Sequence, residues 1–271
     1  TDELGNLIDI VCTINEANLT ACFAHSFQSY PEHGMKAIMP FIKEAAEECG
    51  STLENFGPFL FGHPFKIRDC MMEAHVKSVP IIKRILKNNQ PVAVTLSIMD
   101  YQAAEDGEEM RDKAYAESVD CCLDQIVNDD FVGVQMYTRH TYGPDGIIKP
   151  KADDPNMLVM GYEYYPESLE NVVRYVSSKI KTPIMITENG IGTDDDNQRI
   201  EYLTTALQGL QNCLDDGIDV RGYFCWSLLD NFEWLFGYKP RFGLVEVNRE
   251  TLDRTAKESF KFFKDVIDQS S

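Results

Sequence analysis

Five short apolar runs, at residues 8–15, 92–97, 132–137, 184–187 and 222–227, are too short for core helices and are separated by longer stretches of helical periodicity. The first four are rich in Val and Ile and do not alternate strictly with polar residues. That is the pattern of strands buried on both faces, found where helices cover a parallel sheet. Helical spacing marks 35–49, 73–88, 113–128, 167–180 and 199–216, with Pro80 expected to kink or break the second. Thr255 with Glu258 reads as a capping box for a last helix, whose apolar stripe is Phe260, Phe263 and Ile267. Residues 50–65, with three Gly, two Pro and four Phe, read as an irregular loop. The coarse order is βαβαβαβαβα, an α/β chain without internal repeats.

Parallel α/β folds keep their chemistry at the carboxyl ends of the strands. Two glutamates stand at such positions: Glu16 closes Thr13-Ile14-Asn15-Glu16, and Glu188 lies in Ile186-Thr187-Glu188-Asn189-Gly190. Two carboxylates brought together can cleave a glycosidic bond, one protonating the leaving oxygen while the other attacks or stabilises the sugar cation.

Further segments follow in order: Asp130-Phe131-Val132-Gly133-Val134-Gln135-Met136-Tyr137, then Tyr223-Phe224-Cys225-Trp226-Ser227-Leu228-Leu229-Asp230-Asn231-Phe232-Glu233-Trp234, then Arg241-Phe242-Gly243-Leu244-Val245. With the two glutamate motifs, this set resembles glycoside hydrolase family 1, the β-glucosidase family of retaining glycosidases, from about residue 8 to the carboxyl end. The resemblance implies a (β/α)8 TIM barrel in which the T-x-N-E glutamate ends the fourth strand. Only fifteen residues precede Glu16, whereas one βαβ unit takes roughly 30. The expectation is a partial barrel: residues 1–271 are the carboxyl-terminal portion of a single domain, strands four to eight with their helices. Strands one to three appear nowhere in the sequence, and the missing amino-terminal portion of the barrel is an expected partner.

The same resemblance assigns roles. Glu188 is the expected nucleophile and Glu16 the acid/base, with carboxyl groups about 5 to 5.5 Å apart, as in a retaining pair. While Glu188 is charged it raises the pKa of Glu16, and esterification of Glu188 removes that repulsion. Asn15 is placed to bond the sugar 2-hydroxyl and Tyr137 to bond the nucleophile. Gln135, where many members carry Asn, is placed at the acid or the sugar. Trp226 would stack on the sugar and Glu233 would accept from its O4 and O6 hydroxyls, with Trp234 in the same pocket. Relatives that cleave 6-phosphoglycosides replace this glutamate, so Glu233 implies unphosphorylated gluco- or galacto-configured substrates. Phe224 and Phe232 are expected in the core. Ala17 departs from the family's Pro and loosens the turn after Glu16, and Leu235 stands where a small Ala is common. No metal or cofactor is implied.

A formal charge of −19 argues against nucleic-acid binding, because a phosphate backbone would be repelled. No apolar run is long enough to span a bilayer, so no membrane partner is expected. Eight cysteines without C-x-x-C or regular spacing suggest neither a disulfide scaffold nor a zinc site, and Cys12 and Cys225 read as small apolar fillers inside strands. A reducing, cytoplasmic setting is the expectation. The Asn18-Leu19-Thr20 sequon is read as chance, since a glycan there would crowd the cleft. Two alternatives to the enzyme stand. One is a catalytically silent carbohydrate-binding or scaffold relative, which the presence of both glutamates disfavours. The other is a truncated product, inactive alone because the Gln, Arg and His that the first three strands supply in the family are absent.

Overall fold

A computed structural model describes residues 5–27, 34–57, 62–86, 88–151 and 154–269. They fall into two compact units, one of Thr1–Gly133, His140–Lys149 and Lys179–Thr182, the other of Val134–Arg139, Pro150–Ser178 and Pro183–Ser271.

In the first unit the run at 8–15 yields only a two-residue strand, β1 (Val11–Cys12), paired in parallel with β2 (Val92–Ala93). Thr13 N–H still donates to Ala93 O at 2.8 Å, but the chain then turns, and Ala17 N–H reaches Thr95 O at 3.2 Å. The next strand, β3 (Thr95–Ser97), follows β2 after Val94 alone, and all six residues at 92–97 are buried. Gly133 N–H donates to Val94 O at 3.0 Å, where β5 (Val132–Met136) begins. Helices α1 (Leu19–Phe27), α2 (Gly34–Glu48) and α3 (Pro64–Ile85) belong to this unit. Buried His75 fastens α3 to β1, with Nδ1 2.8 Å from Thr13 Oγ1 and Nε2 2.9 Å from Asp129 Oδ2.

Two expectations about α3 are corrected. It begins at Pro64, inside the stretch read as loop, where proline suits the first turn and His63 Nδ1 accepts from Lys66 N–H at 3.3 Å. It also runs through Pro80 to Ile85. Pro80 is exposed and Val76 is 47% exposed, so the Val76 carbonyl, deprived of its donor, faces solvent rather than the core. Residues 58–61 of the expected loop lie outside the described residues.

The expected helix at 113–128 is three pieces: α4 (Glu108–Tyr115), a π-turn at Ala116–Asp120, and α5 (Cys121–Leu123). A small sheet that sequence periodicity did not suggest joins β4 (Asp100–Ala103), β6 (Arg139–Gly143) and β7 (Gly146–Ile147) in the order β4-β6-β7. Its approach to α4 is close: a Cβ on Gly107 would stand 1.9 Å from Tyr142 O. The sequon is accounted for here too. Asn18 is fully buried, with Nδ2 donating at 2.8 Å to both Ser97 O and Ser118 O, so no glycan can be carried in the folded state.

In the second unit the end of β5 lies beside β8 (Ile184–Asn189), which pairs in parallel with β9 (Val220–Cys225) through Ile184↔Val220, Ile186↔Tyr223 and Asn189↔Cys225. Helices α6 (Ser168–Lys179) and α7 (Asp196–Asp215) bury Leu169, Val172, Val176, Tyr202, Leu203 and Ala206. Asp195 caps α7 by accepting from Asn197 N–H at 3.0 Å. The expected Thr255 capping box does not form, because Thr255 pairs with Glu246 across an antiparallel hairpin of β10 (Val245–Val247) and β11 (Arg254–Ala256). The last helix, α8 (Glu258–Gln269), is instead held by Asp196, whose carboxylate accepts Ser259 N–H at 2.8 Å and Ser259 Oγ–H at 2.7 Å. Phe224 and Phe232 are not core residues: they are 54% and 57% exposed. Phe224 points away from the buried layer because β9 is half-exposed on both faces.

Burial pushes the Asp196 carboxyl up, but the Ser259 hydrogen bonds and Arg199 outweigh it and hold it below its ordinary value. Stability from a depressed carboxylate is present above its unfolded pKa and lost as pH falls through the folded one. Asp196→Asn should therefore cost about 1.5–3 kcal/mol at neutral pH, the range for hydrogen bonds to a charged group. The loss should shrink in acid. Urea midpoints of the two proteins at pH 7 and pH 3 check both statements.

Candidate active site

Glu188 is the penultimate residue of β8, and its carboxylate is clamped from β5. Tyr137 Oη–H donates to Oε2 at 2.5 Å and Gln135 Nε2–H to Oε1 at 2.8 Å. Successive odd positions of a strand share a face, which is how Gln135 and Tyr137 come to meet the same group. Burial raises the pKa of Glu188 above its ordinary value; the Tyr137 bond lowers it, and the charge of Glu233 raises it again. The acid is thus half-buried, doubly hydrogen-bonded and close enough to Glu233 to feel its charge.

The next residue fixes the strand end. Asn189 is fully buried, and its Nδ2 donates to Met136 O at 2.8 Å and Tyr202 Oη at 3.0 Å. Its Oδ1 accepts from Tyr223 Oη–H at 2.8 Å, and its carbonyl accepts from Trp226 N–H at 2.9 Å. Gly190 completes the motif for a steric reason: a Cβ there would lie 2.0 Å from Trp226 O. The loop beyond is tied down by Arg199, only 2% exposed, which donates to Thr193 O and Arg241 O at 2.6 Å each.

Glu233 is half-buried, accepts from Asn231 Nδ2–H at 2.8 Å, and leads into a 3-10 turn at Trp234–Phe236. Trp226 is half-buried, whereas Trp234 is 80% exposed. The Leu235 side chain lies outside the described residues. Sequence reasoning missed Tyr162. Its ring centroid is 6.4 Å from that of Tyr137, its buried hydroxyl has no protein partner, and Glu233 is among the charges it feels. It also missed Arg139, two residues past Tyr137, which holds Glu163 through two bonds of 2.8 Å and lies 3.8 Å above the Tyr165 ring.

A sequence profile described as Glycosyl hydrolase family 1 matches residues 131–271, which contain this whole arrangement. The chain belongs to glycosyl hydrolase family 1. Among relatives of this family, a putative beta-glucosidase 15 of Oryza sativa subsp. japonica is 32% identical over 232 residues, 81% of this chain and 59% of that protein. A bifunctional beta-D-glucosidase/beta-D-fucosidase of Bifidobacterium breve is 42% identical over 122 residues, 40% of this chain and 26% of that one. The crystal structure of beta-glycosidase BGL167 superposes with a TM-score of 0.86 at 38% identity, covering 99% of this chain and 64% of the other. Beta-glucosidase 1317 gives 0.84 at 33%, covering 98% and 64%. The chain thus spans less than two thirds of the length of these relatives, and its fold is part of a (β/α)8 barrel.

Glu16, the expected acid/base, lies in the first unit, two residues past Ile14, whose carbonyl accepts from Thr95 N–H at 3.2 Å. It stands past β1 in a turn, at φ 47, a left-handed conformation uncommon for a residue with a side chain. Thr95 holds the turn: Oγ1 accepts from Glu16 N–H at 3.0 Å and lies 3.3 Å from Asn15 Oδ1. Ala17, where the family has proline, donates its N–H to Thr95 O at 3.2 Å, a bond proline could not make. Asn15 is exposed and Glu16 half-exposed.

The competing influences on Glu188 make a signed test. Tyr137→Phe removes a hydrogen bond that favours the carboxylate, so the Glu188 pKa should rise. Glu233→Gln removes a like charge, so it should fall. Carboxyl-carbon NMR titration of both variants reads the two directions against wild type, and shifts of the same sign would contradict the arrangement. Gly190→Ala should destabilise by several kcal/mol through displacement of the Trp226 backbone, visible as a loss of Tm beyond that of an ordinary surface Gly→Ala change.

Proposed function

We propose that the chain is the carboxyl-terminal part of a retaining β-glycosidase acting on terminal, unphosphorylated β-D-glucosides or galactosides. The Tyr137–Glu188–Gln135 clamp carries this reading, since it aims one carboxylate outward from the end of a buried strand while keeping both oxygens hydrogen-bonded. Glu188 attacks the anomeric carbon. Glu16 gives its proton to the leaving oxygen and then takes one from water as the glycosyl-enzyme is hydrolysed. Asn15 bonds the 2-hydroxyl, Glu233 accepts from O4 and O6, and Trp226 stacks on the sugar face, with Trp234 over the same subsite. A carboxylate at 233 repels a phosphate and welcomes hydroxyls. No nucleic acid or membrane takes part in this scheme, and the proposed setting is the cytoplasm. The names of the relatives, beta-glucosidases and, in Pyrococcus woesei, a beta-galactosidase, favour the same substrate class.

The complementary portion of the barrel is the proposed partner. Among the described residues β9 pairs on one side only, with β8. Next to it Phe224, Leu228, Phe263 and Ile267 line an apolar cavity of about 470 Å³, with Leu228 58% and Ile267 51% exposed. An unpaired parallel edge and an uncovered apolar face suit strands and helices supplied from elsewhere.

Activity tests both halves of the proposal. The 271-residue chain alone should hydrolyse an aryl β-glucoside negligibly, because positioning and charge stabilisation from the complementary strands are lacking. Supplying a relative's amino-terminal segment, fused or in trans, should restore turnover, with NMR showing the β-anomer as first product. In the restored enzyme Glu188→Gln should lower kcat more than about 10³-fold. Glu16→Gln should slow substrates with poor leaving groups more than those with good ones. An α-anomer as first product would rule out retention, and robust turnover by the purified chain alone would rule out the dependence on a partner portion.

A further inference from the structure

Away from the glutamates, the first unit places two adjacent thiols beside one guanidinium, with a third thiol near the second of them. Cys121 and Cys122 form the last helical piece after the π-turn at Ala116–Asp120, an irregularity that widens a helix locally and recurs at functional positions. Cys121 is half-buried and Cys122 buried, with their sulfurs 4.0 Å apart. Cys22, also buried, donates to Ser97 O at 3.3 Å and lies close enough to influence Cys122. Arg68 reaches across from α3, its Nη1 bonded to Glu117 O in the π-turn, and its positive charge acts on both Cys121 and Cys122. Asp69 and Asp120 oppose it, but each is already engaged: Asp69 by Arg68 at 2.6 Å and Asp120 by Lys179 Nζ at 2.7 Å.

We propose that Cys121 is a modification site, a nucleophilic thiol positioned by Cys122 and Arg68 to exchange with small-molecule disulfides. The Cys121 thiolate attacks one sulfur of the incoming disulfide and forms a new S–S bond to it. The old S–S bond breaks, and the second sulfur leaves as a thiolate that takes a proton from water. The small disulfide is the oxidant and is reduced by the exchange, so no other co-reactant is needed. The contact with Cys122 is the main influence on the Cys121 thiol; burial opposes it, Arg68, which shares the Glu117 carbonyl with Cys121 Sγ, assists it, and the thiol is lowered to about 7. Cys122 is pushed the other way, by its neighbour and by burial. The two do not close on each other. Adjacent Cα atoms are about 3.8 Å apart, short of the roughly 4.4–6.8 Å an ordinary disulfide spans. The mixed disulfide is therefore the end product.

Exposure and activation make opposite rankings, which is what allows a clean test. Exposure alone puts Cys12, Cys49 and Cys70 ahead of Cys121. Folded protein at pH 7 is treated with limiting oxidised glutathione or 5,5′-dithiobis(2-nitrobenzoate), quenched in acid, and mapped by peptide mass spectrometry. Cys121 should label roughly threefold faster than Cys49 or Cys70: about half of a thiol titrating near 7 is ionised there against a few per cent of an ordinary one, and the weaker nucleophilicity of a less basic thiolate takes back part of that gain. Its labelling rate in the unmutated chain should titrate with a midpoint near 7. Arg68→Gln should slow Cys121 severalfold and Arg68→Lys should keep most of the rate. Cys22 and Cys122 should stay unlabelled throughout. Labelling of Cys121 no faster than Cys49, a midpoint near 8.5, or labelling of Cys22 and Cys122 in step with it would each overturn the proposal. None of these readouts depends on glycosidase activity.

Discussion

The buried amide of Asn189 is what the second unit is organised around. It offers two donors and an acceptor at the end of β8, and all three are satisfied by groups from different elements: Met136 O of β5, Tyr202 Oη of α7 and Tyr223 Oη of β9. A buried amide left unpaired costs about 1–3 kcal/mol per lost partner, so strand ends that slipped relative to one another would be penalised several times over. Tyr202 extends the same network by donating to Tyr137 O at 3.2 Å. The residue that orients Glu188 from β5 is thereby anchored through the neighbour of Glu188 on β8. Positional tolerance at the carboxylate is set by a polar network inside the strand ends rather than by the surface loops.

Within that frame the electrostatics of Glu188 are a balance of opposed influences. Burial and Glu233 favour the protonated form, and Tyr137 favours the anion. A fully solvated glutamate would be ionised but weakly nucleophilic and loosely held, whereas one buried without donors would be neutral and inert. Two donors on the half-buried carboxylate fix its direction, and the Tyr137 bond opposes the rise that burial causes. The charge of Glu233 raises the Glu188 pKa, and the hydrogen bond from the Tyr137 phenol acts against it. Tyr162, packed beside Tyr137 with an unengaged hydroxyl, adds a polar group where hydroxyl-bearing ligands would be met.

The fold class was readable because buried parallel strands and their covering helices leave a composition that survives in one dimension: 92–97, 132–137 and 184–187 each contain strand, and α6, α7 and α2 fall within a few residues of where periodicity put them. What was not readable depended on partners distant in sequence. The run at 8–15 has strand composition throughout, but Thr95 captures the backbone at 16–17 and turns it after Cys12. Thr255 has a capping sequence, but the β10 strand claims its backbone first. Pro80 breaks helices in isolation, yet here its exposed side leaves only a solvated carbonyl unpaired. Phe224 and Phe232 look like core residues and face outward, because hydrophobicity alone does not say which face of a strand or turn is covered. Gln135, Tyr137, Glu188 and Glu233 were legible as motif residues; that Gln135 bonds Glu188, and that Tyr162 packs beside Tyr137, required coordinates.

The two carboxylates are supported in different ways, and the difference bears on how each tolerates change. Glu188 sits near the end of β8, paired with β9 through Ile186↔Tyr223 and Asn189↔Cys225 on either side of it, and has side-chain bonds to both oxygens. Glu16 sits in a left-handed turn, where Thr95 Oγ1 accepts its N–H at 3.0 Å and the Glu16 carbonyl accepts from Leu19 N–H at 3.0 Å. A strained conformation persists only while its surroundings hold it. Ala17 supplies one of those holds, the N–H to Thr95 O at 3.2 Å, which a proline at that position could not make. The residue at 17 and the conformation at 16 are thus linked: the turn is held by hydrogen bonds to Thr95, and the placement of Glu16 depends on β3 as well as on its own sequence.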